Sequence, residues 1–235
     1  MKHRAALLLA TVLAFAPLAA QAEPAVTIPP PAAEQSAQST GTGTGLETAV
    51  LAGGCFWGIQ AVYQHVKGVT NAVSGYAGGT QKDALYETVS SGRTGHAEAV
   101  KVTFDPRQVS YGKILQVYFS VAHDPTQLNR QGPDSGTQYR SEIFPQSEAQ
   151  AKAAKAYIAQ LDAAHVYKKP IVTKTDSIKS PFFAAEAYHQ DYAIHHPYQP
   201  YIAFNDAPKV ENLKKIFADN WREKPVLVRE AEKSN

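Results

Sequence analysis

The sequence predicts an α+β fold, a two-layer sandwich of ferredoxin-like or roll type in which helices cover one mixed β-sheet. Three observations predict it. Residues 97–104 alternate, with Glu98, Val100, Val102 and Phe104 on one face and Ala99, Lys101 and Thr103 on the other. Apolar residues recur at helical spacing at Phe56, Ile59, Val62, Tyr63 and Val66, and again at Ala151, Ala154, Ile158 and Leu161. Strand-like and helix-like stretches interleave without an internal repeat, the order expected when helices pack over a single sheet.

The chain of 235 residues opens with Lys2, His3 and Arg4, runs through apolar residues 5–20 and reaches Ala20-Gln21-Ala22. Residues 1–22 therefore read as a secretory signal peptide cut before Glu23. The apolar run contains Pro17 and is short for a membrane span. No cysteine follows it, so no membrane anchor is expected after cleavage, and the protein is expected to be exported, to a periplasm or the medium. Losing Lys2 and Arg4 from 23 basic residues leaves 21, equal to the 21 acidic ones. A neutral mature chain lacks the basic excess of a nucleic-acid binder. Residues 23–45, rich in Pro, Ala, Gln, Ser, Thr and Gly, read as a flexible linker. Residues 46–235 read as a single domain, long enough for a substantial core, and a monomer is expected.

Along that domain, Ala49-Val50-Leu51-Ala52 is a strand that turns at Gly53-Gly54 into the first helix, which places Cys55 at the turn. The open N–H groups and macrodipole at such a helix start favour thiolate over thiol. Gly68 to Gly79 reads as a strand ending in a glycine-rich loop, and Asp105-Pro106 ends the alternating strand. Ser110 is an N-cap for a helix burying Ile114, Val117, Tyr118 and Val121. The polar loop from His123 to Thr137 is long enough to suggest function. Tyr139 to Phe144 reads as a strand, Ser147 to Ala163 as a helix and Ile171 to Thr175 as the last strand. From Pro181 to Tyr201, dense in aromatics and histidine, one short helix is expected around Ala184 to Tyr192, then a packed loop. A final helix starts at Pro208 behind Asp206 and buries Val210, Leu213, Ile216 and Phe217.

Cys55 is the sole cysteine, and in an exported chain a lone thiol has no internal disulfide partner. It is either an inert small hydrophobe or reactive, and the glycine-flanked turn favours reactivity. A thiol hydrolase would take its base from among His65, His96, His123, His165, His189, His195 and His196, and the sequence selects none. A metal centre is disfavoured: His96-Ala97-Glu98 matches half of a zinc deaminase signature whose paired cysteines are missing, and His189, His195 and His196 fit no helical ligand spacing. Redox chemistry at sulfur is the third reading. The sole methionine, Met1, leaves with the signal, so the mature chain has none to oxidise.

Gly54-Cys55-Phe56-Trp57-Gly58, Ser74 to Gly79, Ser91 to Glu98, His123-Asp124-Pro125 and Asp134 to Ser141, in this order, resemble the motif set of peptide-methionine (S)-S-oxide reductases, the A-type methionine sulfoxide reductases. The resemblance runs from about Glu47 to Trp221 and takes in Tyr188 to Tyr192 and Pro197 to Ile202. It implies that Cys55 attacks the sulfoxide sulfur as thiolate, that Phe56 and Trp57 hold the S-methyl group, and that Glu98 starts protonated and serves the sulfoxide oxygen. It implies phenolic donors at Tyr86 and Tyr139, an orienting acid at Asp134 and a preference for the S epimer. Glu98 shares its strand face with large apolar side chains, which independently favours a raised pKa. His96, Arg93, Gln138 and Arg140 read as framework.

The resolving cysteines that relatives carry near the C-terminus, or where Ser90 stands, are missing. A sulfenic acid on Cys55 would then need an external thiol, of thioredoxin, glutaredoxin with glutathione or similar type, and no bound cofactor or metal is expected. The alternatives are a Cys–His hydrolase and a non-catalytic module that binds oxidised methionine.

Overall fold

The computed structural model describes residues 24–32 and 45–228. The expected signal peptide, residues 23 and 33–44 of the expected linker and residues 229–235 lie outside the described residues. In chain order the elements are β1 (Glu47–Gly53), α1 (Phe56–Gln64), β2 (Val69–Ala77), α2 (Tyr86–Val89), β3 (Ala97–Phe104), α3 (Tyr111–Val117), β4 (Arg130–Gln131), β5 (Asp134–Ser135), β6 (Ser141–Phe144), α4 (Glu148–Ala163), β7 (Lys174–Thr175), β8 (Phe182–Ala184), α5 (Tyr192–His195) and α6 (Ala207–Ile216).

Six strands form one sheet in the order β7-β6-β1-β3-β2-β8. Its pairs are antiparallel except β6 with β7, so the sheet is mixed, and the α+β expectation holds. Alternation sorts β1 and β3 cleanly. Ala49, Leu51, Val100, Val102 and Phe104 join the main core with Ile59, Val62 and Tyr63 of α1 and Ile114 and Leu115 of α3, whereas Val50, Ala52, Ala97 and Ala99 form a small cluster on the other face. Ser110 and Ser147 cap α3 and α4 by accepting from Lys113 N and Gln150 N. A π-helical turn, Tyr118–Ala122, extends α3 to His123.

Three expectations need correction. The strand expected over Ile171–Thr175 is confined to Lys174–Thr175, which pairs with β6 and forms one edge of the sheet. In place of one helix around Ala184–Tyr192, β8 pairs with β2 and ends at Ala184, a single tight turn follows at Ala187–His189, and α5 starts only at Tyr192. Phe182 and Phe183 are half-buried at the sheet edge, Phe182 packing against the small cluster of Val50, Ala52, Ala97 and Ala99.

The third correction concerns the linker. Residues 24–32 lie along the body as an extended strap: Val26 N donates to Ser120 O, Ser120 Oγ donates to Val26 O, Gln116 Nε2 to Ile28 O and Tyr157 OH to Pro29 O. Ile28, only 5 % exposed, joins the main core. A proline-rich stretch loses little backbone entropy on docking, so one buried isoleucine and these hydrogen bonds suffice. Deleting residues 23–32 from the mature chain is expected to remove about 2 kcal/mol and to lower Tm by roughly 4–8 °C. A thermal melt followed by circular dichroism checks this, and an unchanged Tm contradicts it.

Candidate active site

β1 ends in two glycines because nothing larger fits. A Cβ on Gly53 would meet the His123 ring at 2.8 Å, and Gly54, at φ +95°, would press a Cβ onto Gln131 at 2.6 Å. Gln131 is itself fixed, accepting from Asp124 N and donating to Asp124 O. This turn delivers Cys55 as the residue preceding α1, 8 % exposed. Phe56 and Trp57 follow in the first helical turn.

Glu98 arrives from the neighbouring strand β3, 2 % exposed, and its Oε2 accepts from Phe56 N at 3.1 Å. The carboxyl thus sits at the start of α1 beside the nucleophile. Burial pushes its pKa up to about 8, against the Phe56 N–H bond, which favours the ionised form. Glu98 is therefore a neutral acid at pH 7.

The Cys55 thiol is pushed well above its ordinary pKa, by burial first and then by Glu98 and Asp206, against the Trp57 N–H. The thiolate expectation is corrected for the resting site: the helix-start effect is real but smaller than the loss of hydration at a buried sulfur. Both Cys55 and Glu98 rest neutral.

Tyr86 opens α2 and Tyr139 closes a tight turn, Thr137–Tyr139. Burial raises both phenols, with Glu98 next among the causes and Cys55 also contributing, so the two hydroxyls share the site's electrostatic field. The segments carrying them are tied together, because Gln138 Nε2 donates to Ser90 O at 3.2 Å and Thr137 Oγ1 to Gly92 O at 2.8 Å. Arg140 clamps the same turn to the β3 approach through Thr137 O and Gly95 O, both at 3.0 Å. Asp134 accepts from Tyr201 OH. Burial raises its pKa, and Tyr201 and Lys209 pull it back.

Trp57 sits in an aromatic box. It stacks on Tyr192 at 3.9 Å and 13°, meets Tyr201 edge-on at 6.1 Å and donates from Nε1 to His189 Nδ1 at 3.2 Å. His189 also meets Phe56 at 5.0 Å and Tyr86 at 4.4 Å. A buried amide network holds the segment that supplies His189 and Tyr192. Gln190 Oε1 accepts from Ser74 N and Gln60 Nε2, Gln60 Oε1 accepts from Asp191 N, and Gln64 Nε2 donates to Asp191 Oδ1.

The sequence-predicted residues Cys55, Phe56, Trp57, Tyr86, Glu98, Asp134 and Tyr139 thus converge on one site. Sequence reasoning weighed His189 only as a base or metal ligand and gave Tyr192 and Tyr201 no role, although the resemblance covers both of their stretches. His123 and His96 are engaged elsewhere. His123 lies between Tyr118 O and Ser141 Oγ, its pKa pushed down to about 3 by burial, and His96 Nε2 contacts Thr80 O. Among the described residues no group of three or more His, Cys, Asp or Glu side chains is arranged to hold a metal ion.

A family model described as peptide methionine sulfoxide reductase matches residues 47–221. A relative from Mesorhizobium japonicum, peptide methionine sulfoxide reductase MsrA 2, is 61 % identical over 78 % of this chain and 94 % of its own. One from Deinococcus radiodurans, peptide methionine sulfoxide reductase MsrA, is 46 % identical over 80 % and 91 %. Among solved structures, methionine sulfoxide reductase A of Corynebacterium diphtheriae is similar at a TM-score of 0.56 and 33 % identity, covering 77 % of this chain and 89 % of its own. Mxr1 of Saccharomyces cerevisiae in reduced form gives 0.58 and 32 %, covering 66 % and 87 %.

Proposed function

The chain belongs to the A-type peptide methionine sulfoxide reductases, an enzyme family of thiol-dependent methionine sulfoxide reduction, and we propose that it reduces the S epimer, free or in exported proteins, through Cys55. One observation carries this reading: a buried thiol and a buried carboxyl, whose pKa burial raises, meet at the same helix start, walled by Phe56 and Trp57. The aromatic box receives the S-methyl group, and the sulfoxide oxygen faces Glu98, Tyr86 and Tyr139.

As Sγ attacks the sulfoxide sulfur, the oxygen becomes more basic and takes the Glu98 proton. The carboxylate so formed is the acceptor for the Cys55 proton, which the low polarity of the site otherwise holds on sulfur. The Sγ–S bond made by the attack and the sulfoxide S–O bond then both break as an S–O bond forms on Cys55. Substrate sulfur gains two electrons, Cys55 loses two and methionine leaves; the sulfenic acid oxygen keeps the proton given by Glu98, and the thiol proton restores Glu98 to its acid form. Two equivalents of external thiol then return Cys55 to thiol with release of water and a disulfide. Thioredoxin-type and glutaredoxin or glutathione reductants both meet that need, since Cys55 is the chain's sole cysteine.

The same reading takes residues 1–22 as an export signal and the mature chain as a monomer. Incubating the purified mature chain with separate S and R sulfoxide peptides and dithiothreitol tests the reaction. Methionine from S alone is expected, and none from S would reject the proposal. Reductant-independent ester hydrolysis would favour a hydrolase, and tight binding without product a recognition module.

A further inference from the structure

Glu186 lies outside the motifs that carry the resemblance, yet its carboxylate joins three parts of the site. It follows β8 and begins the tight turn Ala187–His189, so Glu186 and His189 lie three residues apart on one side of the chain. Oε1 accepts from Tyr86 N at 2.9 Å, supplying the acceptor that Leu85 before α2 does not. Oε2 accepts from Tyr76 OH at 2.8 Å, and the Tyr76 ring lies 5.9 Å from that of Phe56. The same oxygen is 4.0 Å from His189 Nε2.

The proton on His189 follows from its neighbours. An indole N–H can only donate, so Nδ1, which receives the Trp57 Nε1 bond, carries no proton, and the neutral ring is protonated on Nε2. That nitrogen is buried and has no hydrogen-bond partner among the described residues; Glu186 is the carboxylate that faces it. We propose that Glu186 is a positioning residue for the sulfoxide reaction: its charge selects the Nε2–H tautomer of His189, that tautomer holds the Trp57 indole, and the same carboxylate fixes the start of α2 and hence Tyr86. With the proton on Nδ1 instead, two N–H groups would confront each other and the indole would lose its tether. This inference rests on the proposed function, because it assigns Trp57 and Tyr86 to substrate.

Glu186→Gln separates positioning from mere stapling. The amide is nearly isosteric and keeps an acceptor for Tyr86 N and a partner for Tyr76 OH, but it removes the charge facing Nε2–H. Two readouts are taken on the mature chain: the His189 tautomer, from long-range nitrogen–proton NMR correlations of the imidazole, and steady-state kinetics with an S-sulfoxide peptide and dithiothreitol. Wild type is expected to show protonated Nε2 and bare Nδ1. In Glu186→Gln that pattern is expected to be lost, the Trp57 indole N–H resonance to shift, and KM to rise about tenfold, the scale of one lost hydrogen bond, with a smaller change in kcat. Glu186→Asp, which restores the charge, is expected to recover the tautomer. A wild-type His189 protonated on Nδ1 overturns the proposal even if the variants do not fold. So does a folded Glu186→Gln with unchanged tautomer and KM. Wild type that yields no methionine would instead reject the functional reading, and the tautomer would still be readable in the same samples.

Discussion

Cys55→Ser is expected to lower turnover of an S-sulfoxide peptide at least about 10⁴-fold, to background, with the fold intact. A hydroxyl has nearly the volume of the thiol, so the two-glycine turn and α1 should form unchanged. Its oxygen cannot accept the substrate oxygen and pass it on to an external thiol. Methionine formation by reversed-phase chromatography, with circular dichroism as the folding control, checks this. Residual turnover within tenfold of wild type would mean that another group carries the chemistry.

Glu98→Ala is expected to cost about 10²–10⁴-fold in kcat/KM, the span of a positioned general acid, and Glu98→Gln less, because an amide still donates a hydrogen bond. The pH profile follows from the sign of the shift. Burial raises the Glu98 pKa to about 8, the protonated form is the active one, and so kcat/KM should fall as pH rises through about 8. In Glu98→Gln that fall should vanish. For stability the same shift works against the fold: an unfolded Glu98 ionises near pH 4–5, so its contribution declines from there to about pH 8. Equal, wild-type-like rates in both variants would remove Glu98 from the acid role.

Much of the site was legible because its determinants are local. The step from an apolar strand through Gly53-Gly54 into a helical pattern locates Cys55, and alternation over 97–104 predicts that Glu98 is buried. What was not legible depends on distant partners. The thiolate expectation weighed the helix start, a local effect, whereas the thiol's state is set by burial among groups from β3 and the approach to α6. Residues 182–201 have no periodicity because their ordering comes from Trp57, Gln60 and Gln64 on α1, not from their own spacing. The strap at 24–32 has the composition of a linker, and Ile28 alone signals a docked segment.

In the proposed reaction Cys55 takes up the substrate oxygen, and an external thiol is needed to release it. Mixing the mature protein with excess S-sulfoxide peptide in the absence of any thiol, then measuring methionine formed and the mass of the Cys55 peptide, tests this reaction most directly. One equivalent of methionine per protein, one added oxygen on Cys55 and resumed turnover when dithiothreitol is supplied are expected. Continued turnover without thiol, or methionine formed with Cys55 unmodified, would contradict it.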